Sequence, residues 1–221
     1  MIVSLDIETV PLSSKKREFT RPTMDTMKFG NTKDPDKKQA KYAEAISEWK
    51  QGDNAALSAL TGRVAMIGYK ADDYMVLVAK DAIQESHILK QAWSEIHDYY
   101  HSSGARIAGH NIKKFDLPFM VRRSFILGLS VPPWIINELM KYSSDVIIDT
   151  MLFWQLGDRQ EMVKLSHLCG AFEIDVKESP VTGKDFYKWF EKDVDECIKY
   201  NQQDVEAIAE LCGKLGLGGT P

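Results

Sequence analysis

Cysteine is scarce in this chain. Cys169, Cys197 and Cys212 are the only three in 221 residues, and no two share a C-x-x-C spacing. That excludes a disulfide framework and a thiolate zinc site, and predicts ordinary thiols in a reducing compartment. No apolar run approaches the roughly 18 residues that a membrane span needs, so no transmembrane helix is expected. The start, Met1-Ile2-Val3-Ser4-Leu5-Asp6, lacks the basic residues, apolar stretch and cleavage site of a secretory signal, which predicts a cytoplasmic protein. Histidines with H-E-x-x-H or paired spacing are missing, as are a G-x-S-x-G elbow and a glycine-rich phosphate loop. Zinc hydrolysis, serine nucleophiles and P-loop chemistry are disfavoured accordingly. Internal repeats and low-complexity tracts are absent too.

What remains is ordinary globular material. The apolar fraction is 44% and the charged fraction 27%, values that argue against disorder. The length suits one domain, or one domain with an insertion, and can bury a sizeable core. A net charge of −4 excludes a protein that coats nucleic acid by bulk charge. The charge is uneven, however. Residues 13–61 hold 10 Lys/Arg and 7 Asp/Glu, a mildly basic segment on an acidic body. The plain reading of that asymmetry is a solvated surface.

Five short apolar runs read as strands, at about 2–7, 64–70, 74–79, 106–109 and 146–149. The second and third are joined by Lys70 to Asp73, which predicts an antiparallel hairpin. Asp81 with Gln84 resembles a capping box, opening a helix that carries Ile88, Leu89, Ala92, Trp93 and Ile96 on one side. Pro118 suits the first turn of another helix and Gly128 its end. Met162 to Leu168 and the stretch after Thr182 read as short helices. A long one runs from about Asp193 to Leu215. Within 13–61, turn signals flank Asp36 to Lys50, where Ala40, Ala43, Ile46 and Trp49 recur at helical spacing. That segment, with its Lys15-Lys16-Arg17 and Lys37-Lys38 tracts, reads as an insertion at about 13–61. Three strands followed by alternating helix and strand predict an α/β sheet of mixed direction.

Three places could carry chemistry. In Asp6-Ile7-Glu8-Thr9 the two acids face one side of a strand, where their repulsion would be relieved by a hard divalent cation such as Mg²⁺ or Mn²⁺. In the stretch from Gly109 to Pro118, Asp116 sits where a loop that follows a strand enters a helix, a common ligand position in open α/β sheets. Tyr200 and Asp204 are four apart on the last helix, at the border of the stripe Val194, Ile198, Val205, Ile208, Cys212 and Leu215. Singly, each place has a plainer reading: strand-end acids in water, a helix cap at Asp116, and a surface i,i+4 pair.

Together the order Asp-x-Glu, Asp, Tyr-x-x-x-Asp resembles the DEDD superfamily of 3′–5′ exonucleases, with Asp6, Glu8, Asp116 and Asp204 as its four acids. Tyr200, four before the last acid, matches the tyrosine branch. The histidine branch would want His at 199, which is Lys. The run Gly109-His110-Asn111 to Phe115-Asp116-Leu117-Pro118-Phe119 is similar to the proofreading domain of family-B DNA polymerases. The segment 13–61, closing on Leu60-Thr61-Gly62-Arg63-Val64, looks like that of stand-alone phage and prophage exonucleases.

The resemblance covers residues 1–12 and 62–215. It implies a single 3′–5′ exonuclease domain over 1–221 with an RNase H-like fold, a five-stranded mixed sheet with helices on both faces. The implied setting is a bacterial or phage-infected cell. The implied chemistry is two-metal hydrolysis at the 3′ end of single-stranded DNA, releasing nucleoside 5′-monophosphates. In that pattern Asp6 bridges two Mg²⁺ (or Mn²⁺), Glu8 and Asp204 complete one metal site, Asp116 holds the second ion, and Tyr200 orients the attacking water. The backbone at Glu8 and Thr9 is expected to meet the terminal 3′-OH, and Asn111 and Phe115 the terminal nucleotides. Lys113, Lys114, Arg122 and Arg123 are candidate phosphate contacts. Asp149 reads as structural, because the acidic quartet is already complete. The alternatives are an exoribonuclease or oligonucleotide-degrading enzyme on the same scaffold, or a nucleic-acid-binding module without catalysis. The implied partner is a single-stranded DNA 3′ end, or RNA, with no membrane.

Overall fold

A computed structural model describes residues 1–52, 54–141, 143–158, 160–176 and 178–218. Its strands are β1 (Ile2–Pro11), β2 (Gly62–Lys70), β3 (Tyr74–Val78), β4 (Arg106–Gly109) and β5 (Ile147–Asp149). The helices are α1 (Pro35–Gln51), α2 (Ala82–Ser103), α3 (Asp116–Ile126), α4 (Pro133–Met140), α5 (Thr150–Gln155), α6 (Leu165–Ala171), α7 (Phe186–Lys192) and α8 (Val194–Lys214). The strands form one mixed sheet in the order β3-β2-β1-β4-β5. β2 and β3 are antiparallel, whereas β1 and β5 each pair parallel with β4. Five strands were predicted at nearly these bounds. β1 runs on to Pro11 instead of stopping near Ile7, because pairing continues to the bond from Leu12 N–H to the Thr61 carbonyl.

Contacts divide the chain into two compact units, Met1–Glu8 with Val64–Pro221, and Thr9–Arg63. In the first unit the alternation of β1 sets two faces. Val3, Leu5 and Ile7 are buried on one face. On the other, Ala108 of β4 and Ile148 of β5 pack against Ile208 and Cys212 of α8. α8 also packs on β3, α6 and α7. Its Leu211 and Ala207 meet Leu168 and Cys169 of α6. All three cysteines are buried and free, and burial pushes their thiols up, to about 11 or 12. They are inert packing residues.

Aspartate caps open α2 and α8. The Asp81 carboxylate accepts from Ile83 and Gln84 N–H, and the Gln84 side chain takes the Lys80 N–H. Asp193 likewise accepts from Glu196 N–H to open α8. Beneath β2, Glu85 accepts from Val64 N–H at 2.9 Å and grips Arg123 of α3 through two bonds of 2.8 Å. Both side chains are inside, Arg123 at 2% exposure. Arg123 therefore cannot serve as the phosphate contact expected of it.

The second unit is organised around a cation. Arg17, 4% exposed, donates to the carbonyls of Leu12, Trp49 and Lys50, and its guanidinium lies 5.2 Å from the Trp49 ring centroid. It closes the C-terminal end of α1, where a positive charge complements free carbonyls. The basic tract predicted at 15–17 thus loses its third member to structure. α1 forms as expected and is capped by Asp34, but none of its residues is buried. Ala40 and Ala43 are exposed.

Candidate metal centre

The three separated motifs converge in the first unit. Carboxylate oxygens of Asp6, Glu8 and Asp204 all lie within 4.8 Å of one another. β1 supplies the first two from the face that α8 covers, and α8 supplies the third. Asp116 comes from the first turn of α3, 3% exposed. Its Oδ1 accepts the Ile7 backbone N–H at 3.1 Å. Asp116 is therefore not the cap of its own helix; that position is Phe115, whose side chain makes no capping bond. The acid reaches back to the strand that carries Asp6 and Glu8. Tyr200 stands one turn before Asp204 on α8, and the two side chains interact, as the i,i+4 spacing predicts.

The electrostatics of this group suit a cation. Burial, followed by repulsion from Glu8, Asp116 and Asp204, holds the Asp6 carboxyl well above the usual carboxylate range. Burial, Asp204 and Asp116 do the same to Glu8. Burial pushes Asp116 up to about 7 and Asp204 to about 6. Burial and the neighbouring acids push the Tyr200 phenol above its ordinary value. None of the ion pairs among the described residues involves the four acids. Carboxylates crowded in this way are normally paired or bind a metal ion. A set made wholly of hard oxygens fits Mg²⁺ or Mn²⁺ and not a thiolate- or imidazole-seeking metal.

The loop that leads to Asp116 is held from below. The Asp149 carboxylate accepts from the N–H groups of Asn111 and Lys113 and also from Met151 and Leu152, which it caps. This is the structural role expected of it. Gly109 is required at the start of the loop, since a Cβ there would strike the side chain of buried Ile112. Asn111 adopts a left-handed φ of 63°, which asparagine tolerates, and its Oδ1 is buried with no partner. Phe115 is half-buried, its ring 5.7 Å from that of Phe119. The Lys113 ammonium donates to the Lys141 carbonyl at 2.9 Å, and Lys114 is exposed. Thr9 is 9% exposed, and its hydroxyl donates to the Ala56 carbonyl at 2.8 Å.

No family model and no curated protein matches the chain. Among solved structures it is similar to a family B DNA polymerase from the hyperthermophilic archaeon Pyrobaculum calidifontis, with a TM-score of 0.60 and 14% identity. The match covers 97% of this chain and 24% of that one, so the chain spans about a quarter of the polymerase. The fold is RNase H-like. Among the described residues no helix is long and apolar enough to cross a membrane.

Sequence reading passed over one participant. Asn201, fully buried, donates from Nδ2 to Asp6 Oδ2 at 2.9 Å and accepts the Tyr74 hydroxyl at 2.9 Å. A signal existed. The stripe Val194, Ile198, Val205, Ile208, Cys212, Leu215 steps by four and three, and its vacant slot falls on Asn201. A polar residue in the centre of an apolar stripe needs a buried partner.

Proposed function

We propose that this protein is a metal-dependent 3′–5′ exonuclease that hydrolyses phosphodiester bonds at the 3′ end of single-stranded DNA and releases nucleoside 5′-monophosphates. The convergence of Asp6, Glu8 and Asp204 within 4.8 Å, with Asp116 bonded to the strand between them, carries this reading. A reader of the sequence alone meets these acids as three scattered motifs. Their meeting on an RNase H-like sheet, with a tyrosine one turn before the last, supports two-metal phosphodiester hydrolysis.

Asp6, Glu8 and Asp204 would hold one Mg²⁺ or Mn²⁺, and Asp6 with Asp116 a second. Such a pair of ions supplies an activated water and offsets the charge on the leaving 3′-oxygen. Tyr200, kept protonated by its surroundings, orients the attacking water by hydrogen bond and is not its general base at neutral pH. Asn111 and Phe115 sit on the loop that ends at Asp116 and would position the terminal nucleotides, the phenyl ring by sequence-tolerant stacking. Lys114 is the remaining exposed cation of that loop and would meet phosphate.

The test is hydrolysis of a 5′-labelled single-stranded oligonucleotide with Mg²⁺. A descending ladder with mononucleotide release is expected from the wild type, and loss of at least about 100-fold in rate from Asp6→Ala and Asp204→Ala. Undiminished cleavage by Asp6→Ala would falsify the assignment. A matched RNA strand in the same assay decides the polymer.

A further inference from the structure

We infer that Asn201 is a positioning residue for the metal centre: together with Tyr74 and Gly68 it forms a buried clamp that fixes how Asp6 presents its carboxylate. The inference rests on the metal reading above and extends it to residues outside the acidic quartet.

Three observations carry it. Asn201 is 0% exposed in an otherwise apolar stripe of α8, so it costs stability there unless both ends of its amide are satisfied. Both are. Nδ2 donates to Asp6 Oδ2 at 2.9 Å, and Oδ1 accepts the Tyr74 hydroxyl at 2.9 Å. The hydroxyl is a further 3.5 Å from the Ile198 carbonyl, one turn earlier on the same helix. With Tyr74 donating to Oδ1, the amide nitrogen must face Asp6. The amide cannot turn over without setting its oxygen against a carboxylate.

Gly68 makes the arrangement sterically possible. A Cβ at this position of β2 would overlap the Asn201 side-chain oxygen and touch the Tyr74 ring at 3.1 Å. Strands disfavour glycine, and one inside a strand marks a place where another group approaches closely. Here the group is the Asn201 amide. The clamp thus draws on β2, β3 and α8, three elements that meet only in the folded chain. Its output is one oriented N–H on one oxygen of Asp6, which leaves the other oxygen of that carboxylate for a cation. Partners that orient metal ligands in this way typically hold 10- to 100-fold of metal affinity.

The experiment is calorimetric titration of the whole protein with Mn²⁺, beside thermal melting. Asn201→Leu combined with Tyr74→Phe fills the stripe and removes the amide together with the hydroxyl it accepts, so that Asp6 is the one polar group left without its partner. Replacing both members of a buried pair by apolar groups of similar shape leaves stability about neutral or raised. A purely structural Asn201 would therefore be rescued in the double variant. A positioning Asn201 would not. The expected result is a variant that still melts cooperatively as a folded protein, with Mn²⁺ affinity at least about tenfold weaker. Affinity within twofold of the wild type in that folded variant overturns the inference. Should the double variant fail to fold, Tyr74→Phe alone removes the hydroxyl that sets the amide, and about a 2- to 10-fold loss of Mn²⁺ affinity is expected, with an unchanged affinity overturning it. Absence of Mn²⁺ binding by the wild type sinks the metal reading itself, a different result from either.

Discussion

The Asp116 carboxylate accepts the backbone N–H of Ile7, 109 residues away, at 3.1 Å. Ile7 lies between Asp6 and Glu8 on β1, so this bond ties the first turn of α3 to the strand that carries both acids. It also sets a division of labour within one side chain, between an acceptor that the fold uses and a charge that the fold pays for. Asp116→Asn keeps an acceptor and removes the charge. The expected outcome is a folded protein whose apo melting temperature at pH 7.5 is unchanged or higher, with hydrolysis down by about 100-fold. Melting and single-turnover rates on the same preparation check both parts.

The acids also set a pH dependence. Asp116 and Asp204 have folded-state values of about 7 and about 6, above the ordinary carboxylate value near 4. The folded state therefore holds protons more tightly than the unfolded chain. Without metal, the contribution of these groups is fully present below about pH 4 and is lost as pH rises to about 7. Apo protein is expected to melt lower at pH 7.5 than at pH 5.5. Millimolar Mn²⁺ should raise the melting temperature more at pH 7.5, where the ligands are free of protons. An apo melting temperature that climbs between those two values would contradict the crowded-acid picture.

Tyr200→Phe removes the hydroxyl that meets Asp204 while keeping the ring. Since the phenol is pushed above its ordinary value, the wild-type rate should show no limb that belongs to tyrosine ionisation up to pH 9. The variant is expected to lose about 10- to 100-fold in rate while retaining the shape of the pH profile, as for a lost water-orienting group. A profile whose shape changes on substitution would instead make Tyr200 a proton-transfer residue.

Away from the centre, Glu85 joins β2 to α3 through Val64 and Arg123. Glu85→Ala takes the carboxylate away from a buried guanidinium, and the expected cost is about 3–5 kcal/mol in denaturant unfolding. Mn²⁺ affinity of whatever fraction remains folded should match the wild type, because neither Glu85 nor Arg123 belongs to the acidic group. Equal stability of this variant would show that the Arg123 charge is compensated by something other than Glu85.

Much of this was legible beforehand, for reasons of local chemistry. Short apolar runs located the five strands, and proline and glycine bracketed α3. The i,i+4 step put Tyr200 beside Asp204. Misses came where a local pattern met a distant partner. Arg123 reads as a surface cation until Glu85 is beside it, and Asn201 as one more polar residue of α8 until Asp6 is. Arg17 looks like the end of a basic tract, yet its guanidinium satisfies the last turn of α1.

The sequence by itself determined the order of the five strands along the chain, though not the short helices α4 and α5, and the types of group available: hard oxygen donors and no C-x-x-C thiol pair. Those follow from side-chain period and composition, which act over a few residues. Only the tertiary structure decided that acids from β1 and α8 share one small volume, with Asp116 of α3 bonded to the same strand, and that Asn201 turns its amide on Asp6 over a strand kept bare at Gly68. Such juxtapositions depend on sheet order and helix docking, and nothing in the spacing of residues along a chain fixes them.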